Sequence, residues 1–317
     1  MTGTDHNECW ILTERLSGRL RPDVFERRSA PLEPLRDGES RVRVRMLSLD
    51  PVVRLMIGPP SPDEDQPYVA PGEVMFGFGI GEIVETRDPD FATGDLIEGR
   101  LGWQRFATVS KGHVRKRDTS LPLEQLLGVL GVTGMTGYYG MIEIMDVQPG
   151  ETVVVSSAGG PVGTAAGQIA KIRGCKVVGI AGGREKCDWL VAELGFDDAI
   201  DYKGGDLDGQ LLRACGEGVD VFFDNVGGEI LQAVAHRMKR RGRVAICGAL
   251  GVYNDEAVPA GLRRLSVTVI LKELRISGFS VVHFVEGWPA AEAQLVQWMR
   301  DGRLKAPVEM REGFAAL

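Results

Sequence analysis

The sequence contains no apolar run approaching the roughly 20 residues that a membrane-spanning helix needs. Its first residues, MTGTDHNECW, lack the basic segment followed by an apolar one that marks a signal peptide. It has no C-x-x-C pair, and its five cysteines (Cys9, Cys175, Cys187, Cys215 and Cys247) are odd in number and widely spaced. No disulfide framework is expected, and a reducing, cytoplasmic setting is. The four histidines, His6, His113, His236 and His283, are equally scattered, whereas a structural zinc lobe needs closely spaced ligands. Spacing leaves room for a catalytic zinc assembled from distant residues, but no pattern supports one, so no metal is expected. An excess of positive charge is also missing. The net charge of −7 speaks against nucleic acid or an anionic membrane as partner, though not against a local basic pocket for a small anion.

What is present fits an ordinary globular protein: 317 residues, 44% hydrophobic and 26% charged, enough for about two domains. In SRVRVRMLSLD (40–50), Val42, Val44 and Met46 alternate with Arg41, Arg43 and Arg45, which predicts a half-buried strand with the arginines on a solvated face. FGFGIGEIVE carries Gly77, Gly79 and Gly81 at period two. It continues as strand with no helix following, so these glycines suit bending or close packing rather than a nucleotide loop. With the short strands of FATGDLIEGRLGWQRFATVS, residues 1–125 are expected to form a mostly β domain.

The pattern then changes. LPLEQLLGVLGVTGMTGYYGMIEIMDV predicts helix, glycine-rich break and helix. From TVVVSS onward, strands and helices alternate: CKVVGIAG, DDAIDY, VDVFFDNVGG, RVAICGALG and ELRISGFSVV as strands, REKCDWLVAELG, DGQLLRACGEG and EILQAVAHRMKRRG as helices. Continuous apolar strands between helices imply a parallel sheet covered on both faces. Residues 126–300 are therefore read as a doubly wound α/β domain, and 301–317 as a return to the first domain.

VVVSSAGGPVGTAAGQIAK (153–171) opens that domain as strand, turn and helix. Ala158-Gly159-Gly160-Pro161-Val162-Gly163 is a G-x-G-x-x-G fingerprint with Ala in its first place. Gly160 would let a pyrophosphate approach the backbone, and Gly163 would let the helix pack closely on the strand. Pro161 suits the first helical turn, and the helix N-terminus offers N–H groups to phosphate. A tight turn that binds nothing is the simpler alternative, but the flanking elements favour binding. An NAD site would carry Asp or Glu at the end of the second strand. Here the chain reads Ile180-Ala181-Gly182-Gly183-Arg184-Glu185-Lys186, with no acid at the strand end and two cations nearby, which predicts NADPH. Cations are unfavourable at a helix N-terminus, so at least one of Arg184 and Lys186 invites a functional reading over mere surface decoration.

Several stretches, LSLDPVVR, GDLIEG with GWQRFATV, GVTGMTGYYG, QPGETVVVSSAGGPVGTAAGQIAK, DNVGG and CGALGVYN, together resemble the zinc-independent medium-chain dehydrogenase/reductase superfamily. The nearest branch is that of the NADPH-dependent alkenal/one oxidoreductases, which takes in prostaglandin reductases and plant double-bond reductases. The resemblance spans almost the whole chain. It implies a GroES-like β-rich catalytic domain, a Rossmann domain, a cleft between them and homodimers joined through the Rossmann sheets. The implied reaction is hydride transfer from NADPH to the β-carbon of an α,β-unsaturated ketone or aldehyde, followed by protonation of the enol(ate), without metal.

Position by position, the resemblance places Lys186 and Tyr202 (in IDYK) at the 2′-phosphate; Gly182 and Arg184, at the end of the second strand, are cofactor candidates from the charge pattern there. Thr136, Asn225 and Cys247 fall along the cofactor, a helix cap being the alternative for Thr136. Tyr253 and Asn254 fall beside the reactive ring. Tyr253 is the candidate catalytic residue, since a phenol can donate to a developing enolate while staying neutral at pH 7; packing against the cofactor is its alternative. Two departures stand out. Val52 and Val53 replace the tyrosine and methionine that many relatives carry after DP, implying a more apolar pocket, with Asp50 and Arg54 expected to form a local ion pair. Relatives also continue past GFAAL with a helix and a strand, so the β-rich domain is expected to lack a closing element. A quinone oxidoreductase with the same cofactor site is the rival reading, and a dinucleotide-binding protein without turnover is the reading from another class.

Overall fold

The computed structural model describes residues 6–60, 68–251, 253 and 262–317. These fall into two compact units, one running to Leu127 and including Glu309–Leu317, the other spanning Gly128–Val308.

In the first unit β1 (His6–Leu12) and β2 (Phe25–Pro31) form an antiparallel ribbon in which His6 faces Pro31 and Leu12 faces Phe25. The sequence continues with β3 (Glu39–Leu47), the short helix α1 (Val53–Met56), β4 (Phe78–Thr86), β5 (Leu96–Arg100), β6 (Phe106–Ser110), β7 (Val114–Lys116) and helix α2 (Leu123–Leu127). Its five-stranded antiparallel sheet has the order β6-β3-β4-β5-β7. Val42, Ile83, Ile97, Leu101, Ala107 and Val109 fill one core beneath it.

The strand expected in β3 is present, but its arginines do not share one solvated face. Arg43 and Arg45 are exposed, whereas Arg41 is buried, donating to Glu33 O and lying 3.6 Å from Glu85. Alternation in β3 is kept through this stretch, where Arg41, Val42 and Arg43 pair in unbroken register with Thr108, Ala107 and Phe106 of β6; Arg41 is buried because the chain at Glu33 and the Glu85 side chain close over it. The glycines of β4 serve close packing: a Cβ on Gly81 would lie 2.5 Å from Arg43 O.

The second unit begins with α3 (Val132–Tyr139), continued by a π-helical turn over Gly140–Ile144. Then follow β8 (Thr152–Ser156), α4 (Pro161–Ile172), β9 (Lys176–Ala181), α5 (Arg184–Leu194), β10 (Asp198–Asp201), α6 (Leu207–Cys215), β11 (Val219–Asp224), α7 (Gly228–Arg237), β12 (Met238–Ile246), α8 (Leu262–Lys272), β13 (Arg275–Gly278) and α9 (Trp288–Arg300). The six strands are all parallel, in the order β10-β9-β8-β11-β12-β13. Counted within the unit this is 3-2-1-4-5-6, the doubly wound dinucleotide-binding order, whose topological switch lies between β8 and β11. Every residue of β8 is buried, as helices on both faces require.

One boundary differs from the sequence expectation. The helix expected over EILQAVAHRMKRRG ends at Arg237, and Met238 to Gly242 open β12 instead. Met238 is extended (φ −60°, ψ 140°) and 2% exposed, packed in the core with Val219 and Phe222. The cations after it do not extend the helix. Arg241 takes φ 66°, the strand register shifts against β11, and Lys239 pairs with Asp220 at 2.8 Å while Arg240 and Arg241 pair with Glu273. Core burial of one apolar side chain outweighs the helical pattern of its neighbours.

Candidate dinucleotide site

The glycine-rich run forms the turn from β8 to α4 at the carboxyl edge of the sheet. Gly160 is the N-cap in extended conformation (φ −87°, ψ 167°), no side chain caps the helix, and Pro161 opens its first turn. The first helical bond recorded there is Thr164 N–H to Gly160 O at 2.8 Å, so the N–H groups of Val162 and Gly163 precede the ladder and point out of the helix end. Gly163 is squeezed against the turn: a Cβ would lie 2.4 Å from Ser157 O and 2.8 Å from Ala158 Cα. At Gly160 a Cβ would approach only Ser157, at 3.3 Å and 3.4 Å, so the outer side of the turn is open. This backbone fits a pyrophosphate on a helix N-terminus.

Beside it, β9 ends at Ala181 and the chain turns through Gly182 and Gly183, the latter at φ 101°. A Cβ on Gly182 would lie 3.0 Å from Tyr202 Cε1, 3.1 Å from Tyr202 Oη and 3.1 Å from Lys203 Cε, so both side chains close over this glycine. Lys186 reaches back from α5 across the glycine turn, its Cδ 3.3 Å from where a Gly159 Cβ would be. Tyr202 is 45% exposed, and Lys186 and Lys203 are exposed too. Arg184 behaves differently: its Nε donates to Asp188 Oδ1 at 2.8 Å, one helical turn on, and its side chain is 85% exposed. Asp201 Oδ1 accepts from Gly183 N–H (2.8 Å) and Lys203 N–H (3.0 Å), tying the ends of β9 and β10 together. Those two donors hold the Asp201 carboxyl below the usual carboxylate range.

At the switch point a second network sits on the ends of β8 and β11. Ser156 Oγ donates to Asp224 Oδ1 (2.8 Å) and accepts from Asn225 N–H (2.8 Å), while Asn225 Nδ2 donates to Ser156 O (2.7 Å). The Asp224 carboxylate also accepts from Val226 N–H (3.0 Å) and Gly227 N–H (3.0 Å). Asp224 is wholly buried, and burial pushes its carboxyl up despite these donors. The loop after β12 hangs on the same backbone: Cys247 N–H donates to Asp224 O (2.8 Å) and Gly251 N–H to Val226 O (2.8 Å). Burial, with Asp224 nearby, pushes the Cys247 thiol up to about 12, so it is a thiol and not a nucleophilic thiolate. Tyr253 folds back so that Ala249 N–H donates to its Oη at 3.4 Å, and burial holds its phenol above the ordinary value. Asn254 lies outside the described residues.

Thr136 is not a helix cap. It sits inside α3, 9% exposed, and its hydroxyl donates to Val132 O at 2.7 Å, the i−4 carbonyl. In the first unit, Val53 is buried and Val52 packs half-buried against the core of Leu12, Leu16 and Met56. Asp50 accepts from Ser48 Oγ (2.9 Å) and Arg54 donates to Gly18 O (2.6 Å).

Residues 161–300 match the sequence family described as zinc-binding dehydrogenase, and residues 8–116 match the N-terminal domain of oxidoreductase. Prostaglandin reductase 1 of Bos taurus is 37% identical over 98% of this chain and 92% of its own length. The NADPH-dependent curcumin reductase of Escherichia coli K12 is 34% identical over 97% of this chain and 90% of its own. The chain belongs to the medium-chain dehydrogenase/reductase superfamily, in its alkenal/one oxidoreductase branch. The fold agrees: CurA from Vibrio vulnificus, solved in complex with NADPH, superposes with a TM-score of 0.92 at 30% identity over 97% of this chain and 92% of its own.

As a medium-chain reductase the chain carries its dinucleotide fingerprint, Gly160 to Gly163, on the same sheet edge as Gly182, Lys186 and Tyr202. Asn225, Cys247 and Tyr253 gather at the switch point, and Thr136 lies in the interior of α3. Among the described residues no group of three or more His, Cys, Asp or Glu is placed to hold a metal ion. Sequence reasoning missed Lys203, Asp201, Ser156 and Asp224. Lys203 and Asp201 flank Tyr202 in IDYK, so position alone could have raised them. Ser156 and Asp224 are polar residues ending apolar strands, a signal that points at the switch point only once the strand order is known.

Proposed function

We propose that the protein uses NADPH to reduce the C=C bond of α,β-unsaturated ketones and aldehydes. The observation that carries this reading is its near full-length kinship with a prostaglandin reductase and a curcumin reductase. Cofactor choice is supported separately. The end of β9 presents Gly182, and the groups closing on it are the Tyr202 phenol and one cation, Lys203, where ribose 2′-OH recognition would call for a carboxylate. When bound, NADPH supplies a hydride to the substrate β-carbon.

The chain's own residues divide the remaining work. The α4 N-terminus, with Val162 and Gly163 N–H, binds pyrophosphate, Gly160 and Pro161 leaving the approach open. Lys186 and Tyr202 hold the 2′-phosphate beside Gly182. Asn225, its amide N–H spent on Ser156 O, keeps its Oδ1 as an acceptor on the cofactor side. Cys247 contributes an apolar, un-ionised wall. Thr136, having given its proton to Val132 O, keeps only an acceptor to offer. The Ala249 N–H bond to Tyr253 Oη leaves the phenolic proton unspent and makes it a better donor. Tyr253 therefore donates to the carbonyl oxygen as negative charge develops there, which is what enolate formation requires.

The protein acts as a homodimer through the β13 edge. Among the described residues that strand pairs only with β12, and Ile276 on it, with Val267, Ile270 and Leu271 on α8, is 41–74% exposed. Five free cysteines suit a reducing compartment such as the cytoplasm. Among the described residues no helix is long and apolar enough to cross a membrane.

Offering the protein 4-deuterated NADPH with a panel of enones, enals and quinones tests the reading. Deuterium on the β-carbon of an enone is expected. Consumption of quinones alone would favour the quinone reductase, and tight NADPH binding without turnover would favour a non-catalytic binder.

A further inference from the structure

We infer that Lys203, and not Arg184, is the second cation of the 2′-phosphate site, with Asp201 as the residue that positions it; this rests on the NADPH reading above. Three cations stand at the carboxyl edge of β8, β9 and β10. Arg184 is spent: its guanidinium is tied to Asp188 one turn along α5 and turned to solvent. Lys186 and Lys203 take part in no ion pair among the described residues. Both instead lay their stems over glycines that face the site, Lys186 over Gly159 and Lys203 over Gly182, where Tyr202 Oη also lies.

The placement of Lys203 is built rather than accidental. Asp201 Oδ1 clasps the N–H groups of both Gly183 and Lys203, so the turn carrying Lys203 is fixed to the end of β9. Gln210 braces the same turn from α6, its Nε2 donating to Asp201 O (3.1 Å) and Gly205 O (2.6 Å). Lys203 Nζ lies 6.0 Å from the centroid of the Tyr202 ring, which keeps ammonium and phenol on one side. Two unpaired ammonium groups and a phenol beside a glycine floor form a donor set for a dianionic phosphate and offer nothing to a ribose hydroxyl that a carboxylate would not do better. The nearby Asp201 carboxylate is occupied with the N–H groups of Gly183 and Lys203, which leaves the Lys203 ammonium without a direct ion pair and open to a bound phosphate.

The test is to titrate the full-length protein and its Lys203→Gln, Lys203→Arg, Lys186→Gln and Arg184→Gln variants with NADPH, NADH and 2′,5′-ADP. Glutamine keeps the stem that packs on Gly182 and removes only the charge. Lys203→Gln is expected to weaken NADPH and 2′,5′-ADP by about 10- to 100-fold, the worth of one hydrogen bond to a charged group, with NADH changed less than about twofold. Lys203→Arg should retain most of the affinity, and Arg184→Gln should match the parent. If Lys203→Gln binds NADPH like the parent while Lys186→Gln does not, the inference is overturned and the NADPH reading stands. Equal losses for NADPH and NADH in Lys203→Gln would also overturn it, by showing a structural role. A parent protein that binds NADPH and NADH alike would overturn both.

Discussion

Gly163 is where packing and cofactor binding meet most tightly, and Gly163→Ala exposes the link. The added Cβ would sit 2.4 Å from Ser157 O, 2.8 Å from Ala158 Cα and 3.0 Å from Ser157 C, all backbone atoms with no side chain able to rotate away. Restoring ordinary contact requires α4 and the turn to separate by about 1 Å, at an overpacking cost of about 1–3 kcal/mol. The same movement carries the free N–H groups of Val162 and Gly163 about 1 Å away from a phosphate, past the roughly 3.2 Å limit of a good N–H···O bond. Two bonds to a charged group are worth about 3–6 kcal/mol together, so NADPH affinity should fall at least about 100-fold. Gly160→Ala is the companion. Its Cβ would meet only Ser157 at 3.3 Å and 3.4 Å and its φ of −87° is ordinary, so the fold should tolerate it. Fluorescence titration with NADPH and a thermal melt separate the two effects. Gly163→Ala should lose both affinity and melting temperature, whereas Gly160→Ala should lose affinity with little change in the melt. A Gly163→Ala protein with parental affinity and melting temperature would refute the reasoning.

Tyr253→Phe should reduce kcat for enones about 10- to 100-fold while leaving the NADPH dissociation constant unchanged, as expected for loss of a positioned proton donor. Because burial raises the Tyr253 phenol, the proton stays in place through the neutral range, so the parent rate should fall only as pH rises past the ordinary phenol value of about 10. That alkaline limb should vanish in Tyr253→Phe, as stopped-flow pH profiles would show, and an identical limb in both proteins would remove Tyr253 from the chemistry. Iodoacetamide at pH 8 should leave Cys247 unmodified, since its thiol is pushed up to about 12; rapid alkylation seen by peptide mass spectrometry would contradict that environment. Leu271→Asp places a charge on a residue 74% exposed and should convert a dimer to a monomer in sedimentation velocity without changing the NADPH dissociation constant, and an unaltered dimer would move the interface elsewhere.

Some of the fold and site was legible because it depends on neighbours along the chain. The apolar centre of TVVVS predicts a strand covered on both faces, and the strand with Gly160, Pro161 and Gly163 predicts a turn into a helix N-terminus. The missing acid after Ile180-Ala181 points to the extra phosphate. Where reading failed, short-range pattern met a longer-range constraint. Alternation placed Arg41 on a solvated face, but the chain at Glu33 and the Glu85 side chain cover it there. The charged run after His236 suggested more helix, but Met238 had a core to enter. Arg184 and Lys186 look alike in sequence, and only the structure separates them, with Arg184 paired to Asp188 and Lys186 laid over Gly159.

By itself, then, the sequence determined the order of most elements and the glycine turn from β8 into α4, and it carries the NADPH reading, because each rests on local backbone geometry and on charge close by in the chain. Tertiary structure alone decided which polar groups meet. Ser156 and Asp224 are 68 residues apart and bond at 2.8 Å only because β8 and β11 are neighbours in the sheet. Lys203 and Gly182 come together only because β9 and β10 pair. Strand order is set by the burial of whole faces, a sum over the domain, and no short stretch of sequence contains that sum.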